Sequence, residues 1–417
     1  MAAEKKARLG DRARMEAAPL PESARTELLT VGTADGATAP GVLYTVPGAT
    51  TTVMIMHPRQ DMTRHYLISL LLRAGTNVYV QGVRSVNNDL NLLHEEALLD
   101  AAAGIVRLKD RGAEHIVLAG PSGGSTLFAF YVQQASRAAA DRIARAPGGK
   151  PVPLGEADMP VPDGVAFVAP HPGQGELLLG LIDGAVASET HPLETIPELD
   201  IYSPANGFRT PPESSTYAPD FLAAYRAAQR ARVERIDARA RELIAERRTA
   251  KQRFETSDDP ADRRASLLTE VLVVQRTDAD PRCVDLSLDP SDRPYGSIHG
   301  RRPDLINFGI TGFGRLSTAD SWLSTWSGLS SNANFVRCAP EVEVPSLFVE
   351  YTGDQATFPS VARQMFDAIG SSDKQYERAP GTHFGGPIRD GARPGGEYAG
   401  EILSAWLGDR FPLAPAT

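Results

Sequence analysis

The chain has 417 residues, 42% of them hydrophobic and 23% charged, with a formal net charge of −9 at pH 7. That length can bury a substantial core in two or three domains, or in one α/β domain carrying an insertion, the arrangement favoured here. The acidic balance argues against a nucleic-acid partner, and the lack of any uninterrupted apolar run of about 18 residues argues against a membrane span.

Residues 1–25 open with a charged stretch that lacks the apolar segment of a secretory signal, so they read as an N-terminal extension of a cytoplasmic protein. Two extended runs, TELLTVGT and GVLYTVPG, flank the turn-rich ADGATAP as in an opening hairpin. The period then changes. TTTVMIMHP predicts a strand, DMTRHYLISLLLRAG a helix, TNVYVQGVR a strand, NLLHEEALLDAAAGIVRLKDRG a helix, and HIVLAG another strand. This alternation implies an α/β protein with a mostly parallel central sheet flanked by helices. VAFVAP continues the series, and the rhythm then lapses for roughly 170 residues, too long for a simple connection. It resumes at PSLFVEYTGD, followed by the helix FPSVARQMFDAIG, the extended run KQYERAPGTHFGG and a closing helix EYAGEILSAWLGDRF. The expected division is a core of residues 26–175 and 341–417 with a mainly helical cap of residues 176–340 inserted before the strand in PSLFVEYTGD.

Within the insertion, residues 219–254 predict one long amphipathic helix, with Val233, Ile236, Ala240 and Leu243 along one face. Its ten Lys and Arg between Arg226 and Arg253 read as a solvated face with Arg/Glu pairs rather than a polyanion site. Phe308, Phe313, Trp322 and Trp326 are candidates either to line an apolar substrate pocket or to pack the insertion onto the sheet. Cys283 and Cys338 stand far apart without metal-ligand spacing, so free thiols, no metal and no cofactor are expected.

The sequence carries its chemistry at Gly120-Pro121-Ser122-Gly123-Gly124, a G-x-S-x-G match between the strand HIVLAG and a helical run. Small flanking residues permit the tight turn that lifts a nucleophile above a sheet. A serine hydroxyl needs a base to take its proton, and the base needs a carboxylate to fix its tautomer. Asp354 follows the strand SLFVEYTG, and His383 lies in the glycine-rich loop APGTHFGG after the next strand. Among rival acids, Glu350 falls inside its strand, and Asp373 and Asp390 lie on other connections. His171, in VAPHPGQ, is the rival histidine; it reads as a residue lining the site, while His65, His94, His115, His191 and His299 lack the expected placement.

On these residues the chain resembles a serine hydrolase of the α/β-hydrolase superfamily with a large cap, over roughly residues 41–170 and 345–411. The resemblance implies Ser122 as nucleophile, Asp354 as acid and His383 as base, and hydrolysis through an acyl-enzyme. It implies an oxyanion hole with the backbone N–H of Gly123 as one donor and the loop after TTTVMIMHP as source of the second. The family often has His-Gly there, whereas this chain has His57-Pro58. Proline has no N–H, so the donor is expected at Arg59 or Gln60, with His57 a structural hydrogen bonder. The Arg59 side chain is a further candidate to hold a substrate.

An ester of a small to medium-sized, partly apolar molecule is the expected substrate, since an alcohol is expelled more easily than an amine. Amide, thioester, lactone and carbon–carbon cleavage, acyl transfer to another acceptor, and a noncatalytic ligand-binding protein on the same scaffold remain alternatives. The composition is also compatible with a homo-oligomer.

Overall fold

The computed structural model describes residues 18–415, so most of the expected N-terminal extension lies outside the described residues. Strands β1 (Arg25–Gly32) and β2 (Thr38–Thr45) form the antiparallel hairpin. Then come β3 (Thr51–Met56), α1 (Leu67–Arg73), β4 (Asn77–Gln81), α2 (His94–Asp110), β5 (His115–Pro121), α3 (Gly123–Ser136) and β6 (Gly164–Val168). Helices α4 (Gln174–Leu181), α5 (Pro219–Ser257) and α6 (Pro260–Leu267) follow, then β7 (Val271–Val273), α7 (Pro303–Ile306), β8 (Leu316–Thr318), α8 (Ala319–Ser321) and α9 (Phe335–Cys338). The chain closes with β9 (Ser346–Tyr351), α10 (Pro359–Ala368), β10 (Lys374–Ala379) and α11 (Gly395–Gly408).

Eight strands form one sheet in the order β1-β2-β4-β3-β5-β6-β9-β10. β2 meets β4 antiparallel, and every pairing from β4 to β10 is parallel. Strands β3, β5, β6 and β9 are buried along nearly their whole length, which is why they read as continuous apolar runs: parallel strands are covered on both faces. Alternate side chains feed two cores. Met54, Met56 and Leu118 face α2, α3 and α10, whereas Val53, Ile55 and Val117 face α1 and α11.

The segment between β6 and β9 is helical in α4–α6 and then runs mostly as turns, with β7 and β8 paired as a small antiparallel ribbon. Helix α5 spans 39 residues and buries Val233, Ile236, Ala240 and Leu243 against Leu177 and Leu181 of α4 and against Trp322 and Trp326. Its cations are largely engaged. Arg232 is fully buried, bidentate to Glu189 at 2.7 and 2.8 Å, and it also donates to three backbone carbonyls. Arg226 pairs with Asp280, Arg230 with Glu234, Arg239 with Glu242 and Glu246, and Arg247 with Asp320. Among the described residues no helix is long and apolar enough to cross a membrane. Both cysteines are free and buried.

Candidate active site

Three neighbouring strand ends build the centre of the site. β5 lies between β3 and β6, and at its end the chain turns through Ser122 into α3. Ser122 has φ 53° and ψ −120°, a conformation that a non-glycine residue adopts only under constraint. The constraint is visible: its N–H donates to the Val168 carbonyl at the end of β6 (2.9 Å), and its carbonyl accepts the Ser125 N–H (3.1 Å). The flanking glycines are close approaches. A methyl group on Gly120 would lie 2.5 Å from the Gly124 carbonyl, and one on Gly124 only 2.1 Å from the Met56 carbonyl of β3.

Asp354 stands beyond β9 and His383 beyond β10, as their positions in the sequence suggest. Ser122 Oγ lies 2.8 Å from His383 Nε2, and His383 Nδ1 lies 2.7 Å from Asp354 Oδ2. The second carboxylate oxygen accepts the N–H groups of Ala356 (2.6 Å) and Thr357 (3.1 Å). Asp354 and His383 are both buried. With Nδ1 facing a carboxylate, the imidazole carries its proton there and leaves the Nε2 lone pair to the serine hydroxyl. Rival acids are engaged elsewhere: Glu350 takes the Tyr376 hydroxyl and Arg378, and Asp373 pairs with Arg410.

The loop after β3 departs from expectation. The N–H groups of both Arg59 and Gln60, expected to supply the second oxyanion donor, donate to His57 Nδ1, each at 3.0 Å. The Arg59 guanidinium is bidentate to Asp89 at 2.7 and 2.6 Å and lies over the Trp326 ring at 4.6 Å, so its charge is already compensated. Trp326 and Trp322 are fully buried, the latter donating to Asp237 at 2.7 Å, and neither lines the space beside Ser122. Phe308 is 48% exposed and packs on Arg276 away from the site. Of the four candidate aromatics, Phe313 does line the site, as does His171.

No protein-family model matches the chain, and no curated protein matches it. Solved structures do. The Pseudomonas aeruginosa protein PA2218 is 11% identical, over 97% of this chain and 100% of that one, with a TM-score of 0.50. The chain has the α/β-hydrolase fold. The α/β hydrolase GrgF from Penicillium sp. sh18 is 12% identical, covering 93% of this chain and 99% of that one, with a TM-score of 0.49. The Pyrococcus furiosus esterase Pf2001 is 10% identical, covering 96% and 99%, with a TM-score of 0.43. Identities this low speak for the architecture and not for a substrate.

Within this α/β-hydrolase fold the space at Ser122 is small, about 20 Å³, enough for roughly one water. Besides the residues above, it is lined by Gln174, Leu177, Ile298, His299 and Phe384, none of them a site candidate from the sequence. His299 comes from the insertion, where Asp278 holds its Nδ1 at 3.1 Å. Gln174 and Leu177 share a face of α4, three residues apart, immediately after His171-Pro172. A legible signal was present: the pair His-Pro recurs just after β3 and just after β6, on either side of the strand that ends in Ser122.

Several histidines of this hydrolase fold are buried neutral. Burial alone holds His65 down to about 3 and is the main cause holding His94 down to about 4. Burial, then the nearby His383 and Arg59, holds His171 down to about 3. His57 is also held well below the ordinary value, first by burial and then by Arg59. Because these folded values lie below the unfolded value near 6.5, the stability they contribute is complete above that pH. It is lost as pH falls toward 3–4, at up to about 1.4 kcal/mol per pH unit for each histidine. Urea midpoints should therefore be flat from pH 7 to 8 and fall from pH 6.5 to 4.5, and replacing His65 by a neutral residue that folds should flatten that fall.

Proposed function

We propose that the protein is a serine hydrolase that cleaves a carboxylic ester, or a related acyl bond, of a small to medium-sized, partly apolar molecule. The reading rests on the hydrogen-bonded series Ser122, His383, Asp354 at the elbow of a strand and a helix. Ser122 Oγ attacks the acyl carbon while its proton passes to His383 Nε2, and Asp354 steadies the imidazolium through Nδ1–H. Collapse expels the alcohol, which takes that proton, and water repeats the sequence on the acyl-enzyme. None of these steps calls for a cofactor.

The walls support an apolar acyl group: Leu177, Ile298, Phe313 and Phe384 face the space, and Arg59 is occupied by Asp89. Room for about one water means that these walls part when substrate binds. A cavity of about 620 Å³, large enough for such a molecule, shares Leu177 with this space. Two buried free thiols accord with a cytoplasmic setting.

The test is intact mass after treatment with a small fluorophosphonate. One phosphonyl adduct is expected on the wild-type protein and none on Ser122→Ala or His383→Ala, with a panel of p-nitrophenyl esters turned over by wild type alone. No adduct together with no turnover across the panel would overturn the reading.

A further inference from the structure

The loop that usually completes the oxyanion hole has no backbone N–H to give. Pro58 lacks one, and the N–H groups of Arg59 and Gln60 both donate to His57 Nδ1. An imidazole whose Nδ1 accepts hydrogen bonds carries its proton on Nε2 when neutral. The same logic holds across the nucleophile strand, where the Gly173 N–H donates to His171 Nδ1 at 3.1 Å. Both Nε2–H groups then converge beside the residue after the nucleophile. A methyl group on Gly123 would lie 3.1 Å from His57 Nε2, 2.9 Å from His171 Nε2 and closer still to the Gln174 amide nitrogen, a further side-chain donor at the same place. Both rings are 3% exposed and border the space that holds Ser122, and among the described residues neither Nε2 has a hydrogen-bond partner.

We propose that the oxyanion is held by the Nε2–H groups of His57 and His171 together with the Gly123 N–H, in place of a second backbone donor. This inference rests on the serine-hydrolase reading. As Ser122 Oγ bonds to the acyl carbon, the carbonyl π pair moves onto oxygen, and the two imidazoles stabilise that charge as donors without giving up their protons. Their deep burial, with each other and with Arg59 and His383 close by, keeps both rings neutral, the state in which an imidazole polarises a carbonyl without becoming a competing acid. The position of the two His-Pro pairs explains the geometry: strands β3 and β6 flank β5, and the segments that leave them bring both rings beside Gly123.

The experiment compares His57→Asn and His171→Asn with wild type and Ser122→Ala. The asparagine carbonyl takes the place of Nδ1, keeping an acceptor for the loop N–H groups while removing the Nε2–H. With p-nitrophenyl acetate each variant should lose about 10²–10³-fold in kcat with KM and Tm nearly unchanged. The Ki of phenyl trifluoromethyl ketone, whose hemiketal oxygen occupies the hole, should rise by a similar factor. The rings sit on separate loops, so a variant that fails to fold leaves the other to decide. Unchanged kcat and Ki, with wild type active and Ser122→Ala inactive, overturn the role of the histidines and leave the hydrolase reading standing. Loss of kcat that comes only with loss of Tm, at unchanged Ki, overturns it as well. A wild type that neither hydrolyses the ester nor takes up fluorophosphonate overturns the hydrolase reading and this inference together.

Discussion

Ser122→Ala is expected to lower ester turnover by about 10⁵–10⁶-fold while the protein remains folded, because removing the nucleophile of a triad leaves only binding and the oxyanion hole. The same position offers a second readout. Ser122 sits at φ 53°, ψ −120°, held there by the Val168 carbonyl, and such a conformation costs roughly 1–3 kcal/mol for a residue with a Cβ. Alanine keeps that strain and glycine releases it, at a conformational-entropy cost of about 0.5–1 kcal/mol. Ser122→Gly should therefore be as inactive as Ser122→Ala yet more stable by about 1 kcal/mol. Equal stability of the two variants in urea would limit the strain at the elbow to about the 0.5–1 kcal/mol that glycine loses in entropy, and full activity of either would remove Ser122 from the chemistry.

Asp354→Asn is expected to cost about 10³–10⁴-fold, less than loss of Ser122 or His383. The reason lies in its two oxygens. Oδ1 accepts the N–H groups of Ala356 and Thr357, so the amide keeps its carbonyl there and turns its NH₂ toward His383. An NH₂ group facing Nδ1 selects the tautomer with the proton on Nε2, which is unable to accept from Ser122 Oγ. Turnover should recover partially at high pH, where hydroxide can take the serine proton in place of the histidine, and a kcat within a few-fold of wild type would assign the acid elsewhere.

How much of this was legible in the sequence follows from how local each signal is. Strands β3, β5, β6 and β9 were readable because a two-sided parallel sheet writes itself as short apolar runs. Ser122, Asp354 and His383 were placed because each follows a strand, in a turn whose residues announce it. The oxyanion side was less legible: whether an N–H points at the substrate or at a neighbouring ring depends on loop torsions, and Arg59 and Gln60 have theirs turned toward His57. Arg59 looked like a free cation because its partner, Asp89, lies 30 residues away in another loop. Trp322 and Trp326 looked equally suited to a pocket or a core, and packing against α5 buries both.

The narrowness of the space at Ser122 also has a kinetic meaning. A site with room for about one water is a narrow cleft: Ser122 is itself partly exposed, but a reagent larger than water seats beside it only during the fraction of time in which the walls stand apart. Its apparent affinity is weakened by that fraction, and its rate of acylation levels off at the opening rate however much reagent is added. Size then selects in time as well as in space, since a bulky acyl donor must wait for rarer, wider openings than a small one. At rest, Ser122 is in this way shielded from bulky acyl donors.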